Sequence, residues 1–252
     1  MCAFILNITV PATGSAQSGA IDLQPDGRVV VVGAFSGFNG SPQNKVVRLH
    51  PDGSRDASFN TGTGPNNTVY AVSIDADGRT LIGGAFATVN GVSRPGIARL
   101  TTTGAVDASF DPGAGVNNSV YAIAQQRDGR ILIGGVFTNY NGSTPAGRIA
   151  RLHRDGSYDT SFNTGTGFNS WVYTLTLQGD GKVLAGGDFT SYNGSGQNRL
   201  VRLNTNGSVD ASFMVGSACN NWVYAITWQP EGRVTVAGGF TVFNGTAINR
   251  LV

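Results

Sequence analysis

The sequence has 252 residues, enough for one large all-β domain or two small ones. Its 37 glycines, together with many Asn, Ser and Thr, indicate frequent tight turns and therefore many short strands. The net charge of +2 is close to balance, which argues against a nucleic-acid-binding surface, since that requires a basic stripe. No stretch is long and apolar enough to span a membrane, and the first residues lack the basic region of a signal peptide.

Four marks recur in fixed order with a period of about 51 residues, which identifies tandem repeats. They are an Asp-Gly turn, an apolar strand that ends in Phe, an Asn-Gly turn, and an Arg-Leu pair followed by Asp-x-Ser-Phe. The turns begin at Asp26, Asp77, Asp128, Asp180 and Glu231, and the strands end at Phe35, Phe86, Phe137, Phe189 and Phe240. The repeats occupy residues 24–59, 75–110, 126–162, 178–213 and 229–252, the last being completed by residues 1–10.

Each repeat predicts four short antiparallel strands, here called a to d in chain order. Strand a is the Val-Tyr-Ala-Ile segment that begins at Val69, Val120, Val172 or Val223, and an Asp-Gly hairpin turn joins it to strand b. Strand c is the Ile-Ala-Arg-Leu segment, as at 149–152, and strand d surrounds Asp-x-Ser-Phe. Strands a and b are nearly continuous apolar runs, which is typical of propeller blades that neighbours cover on both faces. The Gly pair at the end of strand b predicts crowding or a bulge.

The repeat arithmetic predicts a closed ring. Val252 occupies the repeat position of Val47, and Met1 occupies that of Asp52, so the chain resumes at its own beginning a few positions later. An open solenoid would instead require polar caps on its terminal repeats. We therefore predict one all-β domain over residues 1–252, a five-bladed β-propeller with four antiparallel strands per blade. In this ring Cys2–Val10 supplies strand d of the last blade.

The marks VYAIxxQxDGRxLIGGxFxxxNG and IARLxxDGSxDxSFNTGTG resemble those of the delta-60 repeat family of bacterial surface and secreted proteins. The likeness covers the chain from about Gln24 to Val252, whereas the first 20 residues depart from the pattern. The resemblance implies a β-propeller of unknown function in an extracellular or cell-surface setting in bacteria. It brings no catalytic residues to this chain.

The acidic residues argue against an enzyme. Propeller glycoside hydrolases need at least two carboxylates in different environments. Most acids here occupy recurring positions, either at the Asp-Gly turn or in Asp-x-Ser-Phe, and repeated acids most simply do repeated structural work. The Asp of Asp-x-Ser-Phe is expected to pair with the Arg of strand c. Asp188, at the end of a b strand, is the best candidate for a special role, but it has no converging partner. No cluster has metal-ligand spacing, so we predict no metal and no cofactor.

The longer b–c and d–a loops form the face on which we expect a ligand. They carry aromatic and amide side chains, which suit neutral polar ligands such as sugars. The candidate ligand-binding residues are Trp171, Trp222, Tyr140, Tyr192, Asn117, Asn118, Asn220, Asn221 and Asp188. The alternative is that these side chains merely close turns and fill gaps between blades. The opposite face, made of short Gly turns, is expected to offer little concavity.

Three functional hypotheses follow. The first is a non-enzymatic, multivalent binding module for a glycan or another cell-surface partner. The second is a structural surface-display domain without a small-molecule site, and the third and weakest is a hydrolase. We expect a monomer that neither binds nucleic acid nor inserts into a membrane.

Overall fold

The structure is a computed structural model that describes residues 19–142, 144–229 and 231–252. The chain divides into two compact units, Met1–Gly115 and Val116–Val252. Throughout the described ranges the regular secondary structure consists of β-strands, β1 to β24. Within those ranges no helix is long and apolar enough to cross a membrane.

The first unit contains two repeats. Its strands are β1 (Ala20–Leu23), β2 (Val29–Val32), β3 (Gly37–Phe38), β4 (Ser41–Pro42), β5 (Val46–Leu49), β6 (Val69–Ile74), β7 (Thr80–Gly84), β8 (Thr88–Val89), β9 (Val92–Ser93) and β10 (Ile97–Leu100). They form two antiparallel sheets of three strands, ordered β1-β2-β5 and β6-β7-β10. Each b–c loop folds into a small hairpin of its own, β3-β4 or β8-β9.

The second unit contains three repeats. Its strands are β11 (Val120–Gln125), β12 (Ile131–Gly135), β13 (Asn139–Tyr140), β14 (Thr144–Pro145), β15 (Ile149–Leu152), β16 (Val172–Leu177), β17 (Val183–Gly187), β18 (Ser191–Tyr192), β19 (Ser195–Gly196), β20 (Leu200–Leu203), β21 (Val223–Trp228), β22 (Val234–Gly238), β23 (Val242–Phe243) and β24 (Thr246–Ala247). The sheets are β11-β12-β15, β16-β17-β20 and β21-β22. In the last sheet, strand c is reduced to a bridge between Ala237 and Leu251.

The b strands form the centre of the three-stranded sheets and of the hydrophobic core. All five residues of β7, β12 and β17 are buried, as their continuous apolar sequence predicts. The Phe that follows each b strand is also buried, namely Phe35, Phe86, Phe137, Phe189 and Phe240. Each sheet thus contributes apolar residues to a core shared with its neighbour in the same unit.

The predicted strand d needs correction. In the described repeats it is a single bridge, as between Leu152 and Tyr158, and Asp-x-Ser-Phe itself forms a turn. The reason is that Oδ1 of Asp159 accepts hydrogen bonds from the backbone N–H and the hydroxyl of Ser161, at 2.9 and 2.6 Å. Such local bonds compete with strand pairing. Strand d of the last blade, predicted at residues 2–10, lies outside the described residues.

The predicted pairing of the repeated Asp and Arg is confirmed. The Nε–Oδ2 distances are 2.8 Å for Arg48–Asp56 and 2.7 Å for Arg99–Asp107, Arg151–Asp159 and Arg202–Asp210. Each guanidinium also stacks over the Phe of the same motif, with its Cζ 4.6 to 5.2 Å from the ring centroid. A cation over an aromatic face is attracted by the ring, so the motif acts as one folded unit.

The Gly pair marks a β-bulge, as predicted. Pairing between β16 and β17 shifts between Val172 and Thr174, so Tyr173 has no partner in the ladder. The same shift skips Tyr70, Tyr121 and Tyr224 in three of the other repeats. Opposite the bulge, a Cβ at Gly187 would lie 2.0 Å from the carbonyl oxygen of Trp171, so only Gly permits this approach.

Candidate functional site

Five aromatic side chains meet where the a strands of the second unit begin. Tyr121, Tyr173 and Tyr224 are the bulge residues of β11, β16 and β21. Trp171 and Trp222 lie two residues before Tyr173 and Tyr224, and therefore on the same side of their strands. We call these five residues the aromatic stripe. Bulges are known to redirect side chains, and here each one presents a tyrosine.

The rings of the aromatic stripe contact one another across the three sheets. The centroids of Tyr121 and Tyr173 are 5.9 Å apart, and those of Tyr173 and Tyr224 are 4.8 Å apart. Trp171 packs edge-on to Tyr173 at 6.0 Å and 86°, and Trp222 lies 6.0 Å from Tyr224. These separations are those of interacting aromatic pairs, so the rings hold one another in place.

The aromatic stripe is open to solvent. Trp171 is 45% exposed, Trp222 38% and Tyr224 56%, which is unusual for side chains of this size. Burial, followed by the charge of neighbouring groups that include Asp188, raises the pKa of Tyr173. The phenol is therefore neutral at physiological pH and keeps a proton to donate.

Asp188 lies at this end of the second unit, and its backbone N–H donates to the carbonyl of Trp171 at 2.9 Å. Its carboxylate is 3.1 Å from Nη1 of Arg199, and the Asp188 side chain is 39% exposed. The same Nη1 also donates to the Asp188 carbonyl. The pair places one carboxylate and one guanidinium beside the stripe, and their charges offset each other.

The two tryptophans have different surroundings. In the repeat of Trp222, the position of Asp188 is taken by Gly239, and a Cβ there would lie 2.2 Å from the indole Nε1. The indole of Trp222 thus occupies the space that a side chain at 239 would need. In the repeat of Trp171 that position carries the Asp188 side chain instead.

The paired asparagines divide into two kinds. Oδ1 of Asn117 accepts the backbone N–H groups of Thr138 and Asn139, at 2.9 and 3.0 Å, and its Nδ2 donates to the Thr138 hydroxyl. Asn220 makes the equivalent bonds to Thr241 and Val242. These two amides were predicted to bind a ligand, but they hold the b–c hairpin onto the d–a loop. This matches the alternative that such side chains close turns.

Asn118 and Asn221, the second members of the pairs, are bound less completely. Oδ1 of Asn118 accepts the N–H of Ser119 at 2.8 Å, and Oδ1 of Asn221 accepts the N–H of Trp222 at 2.9 Å. Asn118 is exposed and Asn221 is partly exposed. Each therefore caps the start of an a strand and can present its amide nitrogen to solvent.

Tyr140 and Tyr192 do not lie on the surface. Both are 1% exposed, and their hydroxyls donate to the carbonyls of Gly156 and Gly207, at 2.5 and 2.6 Å. Tyr192 also packs 4.6 Å from Phe168, with which it forms an isolated bridge. The residue before Asn-Gly is thus a core residue. Because both rings are buried, they do not offer the ligand-binding surface that the sequence predicted.

The tyrosines of the aromatic stripe were missed by sequence reasoning, although the sequence contains the signal for them. In a strand, residues i and i+2 lie on one face, so Trp171 and Tyr173 had to be neighbours. The Val-Tyr-Ala-Ile segment was interpreted as wholly buried because it is apolar. The bulge opposite the Gly pair overturns that reading for its second position.

The opposite face, expected to be nearly flat, contains a cavity of about 580 Å³ in the second unit. It lies at the Asp-Gly turns, and residues of three repeats line it, among them Gln125, Leu177 and Trp228. The expectation was wrong because it considered the turns alone. The last residues of the a strands, which include an indole, also reach this face.

Comparisons with known proteins agree with the repeated sheets. A family model described as "Domain of unknown function (DUF5122) beta-propeller" matches residues 24–59, 76–110, 126–162 and 178–213, more than half of the chain. No curated protein matches the chain.

Several solved structures are similar. The extracellular domain of BT4673 from B. thetaiotaomicron is 18% identical with a TM-score of 0.56, and the match covers 92% of this chain and 28% of that one. The WD40 beta propeller domain of Doa1 is 15% identical with a TM-score of 0.58, covering 86% of this chain and 58% of that one. A protein of unknown function from Bacteroides caccae is 13% identical with a TM-score of 0.53, covering 89% and 72%.

The chain thus spans 28% of the first of these structures and 58% of the second. At such identities the likeness concerns the fold alone. The family match also confirms the resemblance to delta-60 repeats, which are bacterial β-propeller domains of this kind. The chain belongs to the DUF5122 beta-propeller family and has an all-β propeller fold of antiparallel strands.

Proposed function

We propose that the chain is a non-enzymatic binding module and that a glycan binds to its aromatic stripe. The observation that carries the proposal is the exposure of Trp171, Trp222 and Tyr224 within one set of contacting rings. An exposed aromatic cluster leaves apolar surface in contact with water unless a partner covers it, so such clusters mark interaction sites. An outward-facing stripe on rigid sheets is a preorganised surface for such a partner.

A neutral saccharide fits the chemistry around the rings. Aromatic faces pack against the C–H surface of a sugar ring, while amides and a carboxylate bond its hydroxyls. Asn118, Asn221 and Asp188 supply those polar groups beside the stripe. Because Arg199 offsets the charge of Asp188, the site gives no preference for a charged ligand.

The test compares the natural chain with the double variant Trp171→Ala, Trp222→Ala on a glycan array and in thermal melting. Trp228→Leu is the matched control, since it removes an indole that lies outside the stripe. On array glycans that carry no acetamido group, we expect the double variant to lose binding and keep its melting temperature, while the control keeps both. Binding of those glycans that survives in the double variant, or none of them bound by the natural chain, would overturn the proposal.

The second candidate is a surface-display domain whose rings only cover the ends of the a strands. The T-shaped packing of Trp171 on Tyr173 favours it, because ring-to-ring contacts stabilise the fold by themselves. On this account the double Trp variant melts at a lower temperature and no glycan binds. Such a display domain has no small-molecule site, and a surface protein as the partner belongs to the binding-module hypothesis.

We further propose an extracellular, monomeric protein. The support is that several similar structures are extracellular domains of bacterial proteins. Fractionation of cells that express the natural protein tests the location, and light scattering of the purified chain tests the oligomeric state.

Finally, we propose that the five repeats are five blades of one ring and that residues 2–10 pair with the last repeat. The support is that the fifth repeat has the same a–b pairing as the second, third and fourth repeats, bulge included. Deleting residues 1–10 would then leave an unpaired strand edge, which promotes aggregation. A truncated chain that stays monomeric with an unchanged melting curve would overturn ring closure.

A further inference from the structure

The cavity of about 580 Å³ in the second unit lies at the opposite end of the a strands from the aromatic stripe. Stripe residues occupy the beginning of β11, β16 and β21, whereas the cavity is lined by the last residues of the same strands, Gln125, Leu177 and Trp228. Two Asp-Gly turns, together with Arg151 and Thr205, complete the lining. The volume lies within the usual range for sites that enclose a small molecule.

Departures from the repeat converge at this cavity. The position of Trp228 is aliphatic in three other repeats, which hold Leu23, Ile74 and Leu177, and it is Gln125 in the fourth. Gly179, in the turn that faces the indole, replaces a residue with a side chain in every other repeat. A Cβ at 179 would lie 3.3 Å from Cη2 of Trp228, so the glycine gives the indole room against the turn.

The lining combines apolar surface with side-chain amides. Leu177 and the partly buried Trp228 supply the apolar part, and Gln125, Gln126 and Gln178 supply the amides. Within the described part of the chain, the side-chain oxygens of Gln126 and Gln178 are shielded from solvent and accept no hydrogen bond. A ligand donor that meets either amide, after a small rotation of the side chain, would satisfy a group that is otherwise unpaired.

Charge at the cavity is balanced, because the lining contains Arg127, Arg130 and Arg151 together with Asp128 and Asp180, and Asp159 pairs with both Arg130 and Arg151. Nη1 of Arg130 is 3.3 Å from the carboxylate of Asp128, and its Nε is 3.4 Å from Asp159. The guanidinium of Arg151 is occupied by Asp159, Ser161 and the carbonyl of Thr205. An uncharged ligand is therefore favoured over an anion or a cation.

We propose that this cavity is a second binding site and that it takes an acetamido sugar. The acetamide group presents an N–H, a carbonyl and a methyl together, which match the Gln amides and the apolar wall of Trp228 and Leu177. The sugar hydroxyls would then meet the polar turns at the rim. The site is independent of the aromatic stripe and shares no residue with it.

The experiment uses the variant Trp171→Phe, Trp222→Phe, in which Trp228 is the remaining tryptophan of the three in the chain. Its emission is recorded during titration with N,N′-diacetylchitobiose, and with cellobiose, which has the same linkage but lacks both acetamido groups. We expect a saturable change with the first sugar and about tenfold weaker binding or more with the second, because a site built for a polar group rejects the analogue that lacks it. Calorimetry of the variant Trp171→Ala, Trp222→Ala, alone and with Trp228→Leu or Gln178→Leu added, provides a second measurement to which the stripe indoles cannot contribute.

Loss of diacetylchitobiose binding in both of these variants, with unchanged melting, supports the assignment. Equal affinity for the two sugars would overturn the acetamido specificity. No response to either sugar, or unchanged binding in Trp228→Leu, would overturn the site itself. Because the fluorescence variant lacks both stripe indoles, the Trp228 titration can be interpreted even if no glycan binds to the aromatic stripe.

Discussion

The guanidinium Nε of Arg151 lies 2.7 Å from Oδ2 of Asp159, and both side chains are 3% exposed. The same guanidinium donates from Nη1 to the carbonyl of Thr205 at 2.5 Å, in the turn of the following repeat. One side chain therefore joins strand c to its own Asp-x-Ser-Phe turn and to the neighbouring sheet. This connection recurs in the first unit, where Arg48 donates to the carbonyl of Thr102 at 2.8 Å.

Removing this guanidinium should destabilise the protein. Arg151→Met leaves a buried carboxylate and a carbonyl without their main donor, and we expect a loss of about 3 kcal/mol in the free energy of unfolding. Arg202→Met is the matched control, because the Arg202 side chain is 20% exposed and Nζ of Lys182 lies 2.8 Å from the same Asp210 oxygen. Urea denaturation of both variants measures the difference. Equal losses would contradict the larger contribution that we assign to Arg151 from its burial and its bond to Thr205.

Stability should also depend on pH through these carboxylates. Burial alone would raise the pKa of Asp56 and Asp159, but hydrogen bonds from Ser58 or Ser161 and from the paired Arg outweigh it and lower each pKa from 3.8 to about 2. A lowered pKa in the folded state stabilises it above the unfolded value, and this contribution is lost as protons bind. We expect the urea midpoint to be steady above about pH 4 and to fall between pH 4 and 2. A midpoint that stays constant down to pH 2 would contradict this linkage.

Gly239→Ala should displace one ring of the aromatic stripe without unfolding the sheet. The new Cβ would occupy space now filled by the indole of Trp222. The repeat carries Ala34 and Ala85 at the same position, so the backbone tolerates alanine there. We expect a changed Trp emission spectrum and weaker glycan binding, with unfolding free energy altered by about 1 kcal/mol or less. An unchanged spectrum would mean that the ring is not held where the structure places it.

Asp188→Ala should change stability by about 1 kcal/mol or less, because its ion pair with Arg199 is partly exposed. Thermal melting checks the stability, and assays on chromogenic glycosides check for hydrolysis in the natural chain. We expect no hydrolysis in either protein. A hydrolytic activity of the natural chain that disappears in this variant would show that the chain is an enzyme.

The repeat made the sheets predictable, because turn chemistry and apolar runs are local signals. Asn39, Asn90, Asn141, Asn193 and Asn244 all have φ of 47° or 48°, the left-handed conformation that an Asn-Gly turn requires. The Arg–Asp pairing followed from the fixed spacing of two opposite charges. The length of strand d was overestimated. The aspartate side chain accepts a hydrogen bond from the backbone two residues later, and this local bond ends the strand.

The site was less predictable because the same residue type serves two purposes. Asn117 and Asn118 are adjacent and chemically identical, yet one is bound to the b–c hairpin and the other caps a strand. Their different roles are determined by the path of the backbone, which the residue types do not reveal. Tyr140 and Tyr121 differ in the same way, since one hydroxyl is enclosed by a turn and the other ring lies in the aromatic stripe. The cavity at Trp228 depends on three strands at once, which no local pattern contains.

The bulge opposite the Gly pair gives the repeat a position that can change freely. The residue just before each a strand supplies its carbonyl to the Gly contact, so the fold uses its backbone and leaves its side chain open to variation. In the second unit that residue is Ser119, Trp171 or Trp222. Replacing Ser119 with Trp would therefore lengthen the row of rings by one without altering the framework. A duplicated repeat of this design can acquire new recognition chemistry by a single codon change, which makes the scaffold suitable for laboratory diversification.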